Sequence, residues 1–448
     1  MRSRSVTGPL VLVLIGFFFL LNNIWRDIPF WSLFTDYWPI LLIVVGVIGL
    51  VEVLVHASRG AAPPPRPIGV GGFFWVIVLI GFLSWGANRG GIHIGPIGAR
   101  GVNILGTDYD YDVNATGASQ GVTRVVLDNL HGNLSLRGED SADVKVSGRK
   151  TIRAFNRTDA DRANQQSEVR VERQGDLLII RAEEPQGARM LSVSTDLDIT
   201  VPKGLDIEAR GRSGDLTVDD IAGSVDISNG RGDVRLNSIG KDVKVEASRS
   251  GLIKAADVKG SLELQGRGGD VQLENIQGQV TVDGEYSGTL EFRALAKPLH
   301  FRSQRSDFRV EKIPGSVTLD LSEMKMSNVV GPVRFQTGAR DIQATDVTNS
   351  LELTVDRGDI QVTQTKAPLP KLDLHSRNGD ITVTVPASAG FELDGRTGQG
   401  EVNNVFGPPL QTETDGRVGT IKGKVGAGPQ ITLGTERGAL TIRKIEGS

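Results

Sequence analysis

The chain has 448 residues, room for more than one domain, and a formal net charge of −3, so no overall field draws it to nucleic acid or to anionic lipid. It contains no cysteine, which excludes disulfides, thiolate metal sites and a thiol nucleophile. Glycine, at 56 residues, is nearly twice its usual share.

Three apolar runs open the chain, at about 7–25, 37–55 and 68–86 within a region 1–89. Each is long enough to cross a hydrocarbon core of about 30 Å as a helix. The first, "VTGPLVLVLIGFFFLLNNIW", is free of charge and lacks an A-x-A-like cleavage site. With two more runs behind it, it reads as an uncleaved span and not a signal peptide. A buried helix of a soluble domain is the alternative for each run, but such a helix rarely stays uncharged on every face for so long. Arg2 and Arg4 precede the first run, and His56, Arg59 and Arg66 lie between the second and third, while Arg26 in the first loop sits near Asp27 and Asp36. The positive-inside bias places the N-terminus and the 56–67 loop in the cytoplasm and delivers residues 90–448 to the far side. Trp25, Trp31, Trp38 and Trp85 stand near span ends, where amphipathic rings suit the headgroup level.

Residues 90–120 read as a Gly-rich linker. Within it "GTDYDYDV" carries Asp108, Asp110 and Asp112, either a cation site or one solvated face of a strand. A capping β region is expected over 121–213, because the ends of a stacked β array need protection from edge pairing. There "TRVVLDNLHGNLSLRG" reads as a coil with His131-Gly132 at its corner, "NRTDADRANQQ" as a polar excursion or short helix, and "SEVRVERQGDLLIIRAE" as a hairpin.

From 214 to 448 one phrase recurs: "GDLTVDDIAGSVDIS", "GDVRLNSIGKDVKVE", "GDVQLENIQGQVTVD", "SDFRVEKIPGSVTLD", "RDIQATDVTNSLELT". The period is about 18 residues, too short for a helical hairpin or propeller blade and suited to one coil of a β-solenoid. In "DVRLNSI" Val234, Leu236 and Ile239 are the inward set, with Arg235 outward, and Val243 and Val245 continue it around the coil. The fold class is therefore all-β: a single-stranded β-solenoid of either hand, about 18 residues per coil, behind a bundle of three transmembrane helices.

Arg231-Gly232-Asp233 spells a receptor-binding tripeptide, and Arg357-Gly358-Asp359 repeats it. The same slot reads Ser213-Gly214-Asp215 and Asn378-Gly379-Asp380, so the slot is a corner. Glycine supplies positive φ there, and aspartate bonds its own backbone two residues on. A calcium ladder is disfavoured, since calcium-loaded β-rolls repeat every nine residues and Ser250-Gly251 and Ser287-Gly288 omit the carboxylate.

The five histidines, His56, His93, His131, His300 and His375, form no spaced metal pair, and no nucleophile elbow, P-loop or dinucleotide fingerprint occurs. Glu263, Arg293, Arg309 and Glu352 are candidates to line a polysaccharide-acting groove, although a solvated mixed-charge face explains them equally well. No catalytic, cofactor-binding or metal residues are assigned, and no enzyme activity is expected.

The phrases "VVLDNLHGNLSLRGED", "DLDITVPKGLDIEARGRSGDLTVDDIAGSVDISNGRGDV" and "GPQITLGTERGALTI" resemble the DUF4097 family, whose members carry an adhesin label. "GPLVLVLIGFFFLLNNI" and "DYWPILLIVVGVIGLVEVL" over 7–55 resemble the DUF5668 transmembrane region of LiaI- and LiaF-type envelope-stress proteins. The third run and the longer repeat depart from the second pattern. Together the resemblances imply a multi-pass protein of the bacterial cytoplasmic membrane with its C-terminal domain outside, acting as an interaction or sensing surface, with a role in envelope-stress signalling or as an adhesin for envelope glycan. The expected partners are the lipid bilayer and either a membrane protein or an envelope polymer, with no nucleic acid and no cofactor.

Overall fold

The computed structural model describes residues 106–183 and 192–445. The expected spans, and the 7–55 segment that resembles the envelope-stress family, lie outside the described residues. Among the described residues no helix is long and apolar enough to cross a membrane. The described residues of 108–153 and 157–445 belong to one compact unit, and it is mostly β.

Among the described residues 31 strands join one sheet. Its logic is plainest in the middle of the repeat. Val225–Arg231 pairs in parallel with Val243–Val258, Val225 opposite Val243. Val234–Ile239 pairs with the later half of that same strand, Val234 opposite Ile253. Residues 18 or 19 apart in sequence thus lie side by side, and each coil gives one strand to each of two layers. Alternate residues of both layers are buried in one apolar cluster, so the sheet nearly closes on itself around a single core.

The inward set breaks its alternation once per coil, for a backbone reason. In "VRLNSI" Val234, Leu236 and Ile239 are buried, and the intervening Ser238 takes φ 59°. Asp220, Asp257 and Asn275 repeat this left-handed step at φ 59°, 57° and 55°, each just before a buried Ile221, Val258 or Ile276. The extra residue bends the strand as a bulge does. Asp and Asn, whose short polar side chains tolerate this region, are favoured there.

One coil runs backwards. Ser306–Val310 is antiparallel to Leu299–Arg302 on one side and to Val333–Thr337 on the other. Ile313–Leu319 is antiparallel to Leu290–Leu295 and to Glu323–Val330. This departs from the uniform series expected for "SDFRVEKIPGSVTLD". Large residues fill the core at the reversed coil: Phe292, Phe308 and Phe335 are fully buried, and the last two meet edge to face at 5.6 Å. Arg340 ties it down. Half-buried, its guanidinium donates to the Asp320 carbonyl, to Ser306 Oγ and to Thr337 Oγ1.

Both ends of the stack are built by insertion. Arg124–His131 lies between Leu177–Ala182 and Asp206–Ser213, and Leu134–Glu139 lies between Ser192–Pro202 and Leu216–Ile221. At the other end Gln430–Arg437 lies between Lys371–Asn378 and Phe391–Gln399. Outboard strands then run antiparallel: Asp143–Ala154 against Ser192–Pro202, and Val418–Val425 against Phe391–Gln399. The polar excursion is the helix Arg157–Gln166, which buries Ala160 and Ala163. Lys150 donates to Asn164 Oδ1 at 3.0 Å and to the Asn164 and Ser167 carbonyls, a cation placed where a helix C-terminus favours one. Val169–Gln174 and Leu177–Ala182 form the expected hairpin.

Candidate functional site

The Arg-Gly-Asp tripeptides resolve into architecture. Gly232 has φ +117°, and a Cβ there would sit 2.1 Å from the Gly214 carbonyl oxygen. Asp233 donates its backbone N–H to Asp215 Oδ1 at 2.9 Å. Its own Oδ1 accepts the Leu252 N–H at 2.9 Å, and Oδ2 takes Arg235 Nη2 at 2.6 Å. Asp359 does the same, bonding Asp341 Oδ1 through its N–H and accepting from Asp380 N. The aspartates therefore bond the next coil and not their own backbone as expected. Coils stack at about 4.8 Å, which brings the neighbouring N–H within reach. The column begins at Asp196, which accepts the Asn133 N–H, and Asn133 Oδ1 accepts that of Asp215.

The three linker aspartates alternate along Thr107–Ala118 and share one exposed face. Asp108 is held by Arg153 through two bonds of 2.7 and 2.9 Å, which keep its carboxyl below the ordinary range. Asp110 accepts from Thr151 Oγ1 at 2.7 Å. The strand-face reading fits, and among the described residues no group of acidic or histidine side chains is arranged to hold a metal.

The four groove candidates do not converge. Arg309 and Glu352 line one hollow of about 340 Å³, where Glu352 pairs with Arg334 at 2.8 Å. Glu263 lines a different hollow. Arg293 is on the other layer, paired with Glu291. Glu263, Arg309 and Glu352 share one outer row but stand several strands apart along it, and Arg293 is on the other layer, a placement the repeat alone does not reveal.

What the fold builds instead is a continuous outer row across the first layer. From Glu208 through Asp226, Lys244, Glu263 and Thr281 to His300, neighbours stand in direct register. The row continues through Arg309, Arg334, Glu352 and Asp373 to Thr432. It is polar throughout, because every second residue is spent on the core. The surface along it is uneven in charge. A hollow of about 370 Å³ near its start is lined by Asp206, Glu208, Asp226, Asp242 and Glu263, against Arg124 and Lys244.

Near the far end a larger hollow, about 910 Å³, spans the inserted coil. In the adjoining outer row His375 pairs with Gly434 and Gly434 with Arg396. Glycine leaves room there for the His375 ring, which fills it: a Cβ at 434 would come within 2.5 Å of His375 Nδ1. Arg377, Arg396, Lys422 and Arg437 line the hollow together with Asp356, Asp394 and Glu436. The acids are matched: Arg377 pairs with Asp356 at 3.3 Å and reaches Glu436 at 3.9 Å, and Lys422 pairs with Asp394 at 3.4 Å. Among the described residues Arg396 and Arg437 carry no ion pair. These two positions escape a reading of the sequence. The available signal is the glycine in "ITLGTERG", which interrupts an outward polar series.

A family model described as Toastrack DUF4097 matches residues 122–443. Among solved structures, a candidate cell adhesion protein from Clostridium sporogenes is 11% identical, with 75% of this chain and 100% of that one covered at a TM-score of 0.19. A candidate adhesin from Parabacteroides merdae is 10% identical, with 76% and 97% covered at a TM-score of 0.20. A candidate lipid binding protein from Parabacteroides distasonis is 12% identical, with 76% and 98% covered at a TM-score of 0.21. Likeness at this level carries no argument about what this chain does. A search of the curated proteins finds no match.

Proposed function

Because this chain belongs to the Toastrack DUF4097 family, we propose that it is a membrane-anchored protein of the bacterial cell envelope whose stack of two-strand coils, a β-solenoid, presents a rigid surface for interaction or sensing. The apolar runs at 7–25, 37–55 and 68–86 are its anchor, and the basic residues flanking them put the β domain outside the cytoplasm. The carrying observation is the outer row from Glu208 to Thr432: a polar surface on a stiff, regularly spaced frame, with the carboxylate and arginine candidates dispersed instead of gathered as catalysis requires. Stacked repeats of this kind suit extended binding. The role is binding, with an envelope polymer or a membrane protein as partner.

The absence of cysteine makes the topology directly testable. Ser303 is half-buried, whereas Arg305 is exposed in the same turn, so Arg305→Cys is the better probe. Labelling by a membrane-impermeant maleimide in intact cells is the expected result. Labelling only after lysis overturns the envelope reading.

A further inference from the structure

We propose that the hollow over Gly434 binds an acidic polymer, an envelope glycan bearing repeated carboxylate or phosphate groups, through Arg396 and Arg437. This rests on the reading of the β domain as an envelope-facing binding surface and adds the chemistry of its ligand.

Three observations carry it. First, the hollow is built by topology. Inserting Gln430–Arg437 between two other coils sets Gly434 between His375 and Arg396, and the His375 ring lies over the glycine, so the floor of the hollow is low and the flanking arginines stand above it. Second, the local charges are sorted. Each lining carboxylate already has a cationic partner, which leaves the Arg396 and Arg437 guanidiniums uncommitted. A guanidinium is a planar fork matched to carboxylate and phosphate oxygens. Third, the spacing favours an extended ligand. Arg437 lies three residues beyond Gly434, the residue opposite Arg396, so the two arginines are offset by about 10 Å along the strand direction. A chain with repeated anionic groups engages both more readily than one small anion does. The acidic hollow at the start of the row, with five carboxylates to two cations, repels the same ligand and fixes which end of the stack it takes.

The test uses the full chain in nanodiscs of zwitterionic lipid, with oligo-uronate, poly(glycerol phosphate) and neutral dextran as probes. At least one anionic polymer binds, more weakly as salt rises, and dextran does not. The variant carrying Arg396→Gln and Arg437→Gln loses at least tenfold in affinity with its melting temperature unchanged, while Lys254→Gln, exposed on the other layer, binds as the parent does. Preference between the two anionic probes identifies carboxylate or phosphate as the natural group. Absence of binding to both anionic polymers, equal binding of dextran, or full affinity in the double variant overturns the proposal. Those results leave the envelope reading standing if maleimide labels the domain from outside, and that reading fails separately if it does not.

Discussion

Asp233 Oδ1 accepts the backbone N–H of Leu252, nineteen positions along the chain and one coil up the stack, at 2.9 Å. A tripeptide that reads as a ligand is thus a bracket between coils, with both carboxylate oxygens engaged. Removing the acceptor strands an amide at the corner, and one hydrogen bond of this kind contributes about 1 kcal/mol net. Asp233→Ala is expected to lower stability in urea unfolding by about 1–2 kcal/mol. Asp233→Asn, which keeps an acceptor oxygen in place, is expected to lose less than half as much. Equal loss in both variants would show that charge, and not the bond to Leu252, does the holding.

Gly232 is the stiffer constraint. Its φ of +117° is costly for any residue with a side chain, and a Cβ would press on the Gly214 carbonyl at 2.1 Å. Gly232→Ala is expected to cost about 3 kcal/mol or more, read as a fall in melting temperature. Gly204→Ala is the control, since a Cβ there meets nothing within 4 Å, and it is expected to change the midpoint little.

Ala294 holds the left-handed step of its coil at φ 50°, where neighbouring coils use Asp or Asn. A left-handed alanine costs about 1–2 kcal/mol, part of which is returned by glycine. Ala294→Gly is expected to raise stability by about 0.5–1 kcal/mol in equilibrium denaturation. A loss of stability would mean that the step is not strained in solution.

Acid acts through the turn after the reversed coil. Asp320 Oδ1 accepts the N–H groups of Ser322 and Glu323, both at 2.7 Å, and these bonds hold its carboxyl below the ordinary 3.8. A depressed carboxylate contributes stability that is present above the unfolded value and lost as pH falls through the folded one. Asp320→Asn is therefore expected to be less stable than the parent at pH 7, with the gap closing below about pH 4. Urea titrations of both proteins at pH 7 and pH 3 read this directly, and a gap that stays constant would remove the carboxylate from the account.

The corners, the period and the inward set are legible in the sequence because each is local. Gly232 and Asp233 announce a turn, and Val234 and Leu236 announce a buried face, without knowledge of any neighbour. The left-handed step is visible too: the Asp, Asn or Ser before Ile221, Ile276 and Ile239 is a repeated mark of it. The reversal at Ser306–Val310 is not legible, since alternation has no direction and "FRV" reads alike both ways. It depends on Arg340 reaching back to Ser306, a contact 34 residues long. The hollow over Gly434 is hidden for the same reason. A glycine breaks the outward series, but what lies over it depends on His375 and Arg396 standing on either side.

The inserted coil Gln430–Arg437 has a kinetic consequence. Gln430–Arg437 enters between strands made earlier, so the layer from Lys371 to Gln399 stays split until nearly all of the domain has left the ribosome. A chain cut short before residue 430 exposes two facing rows of backbone amides and carbonyls with no strand to bridge them, a surface that proteases and chaperones recognise. The inserted coil thus works as a seal: until it is in place the flanking coils are open to attack, and once in place it is held on both sides.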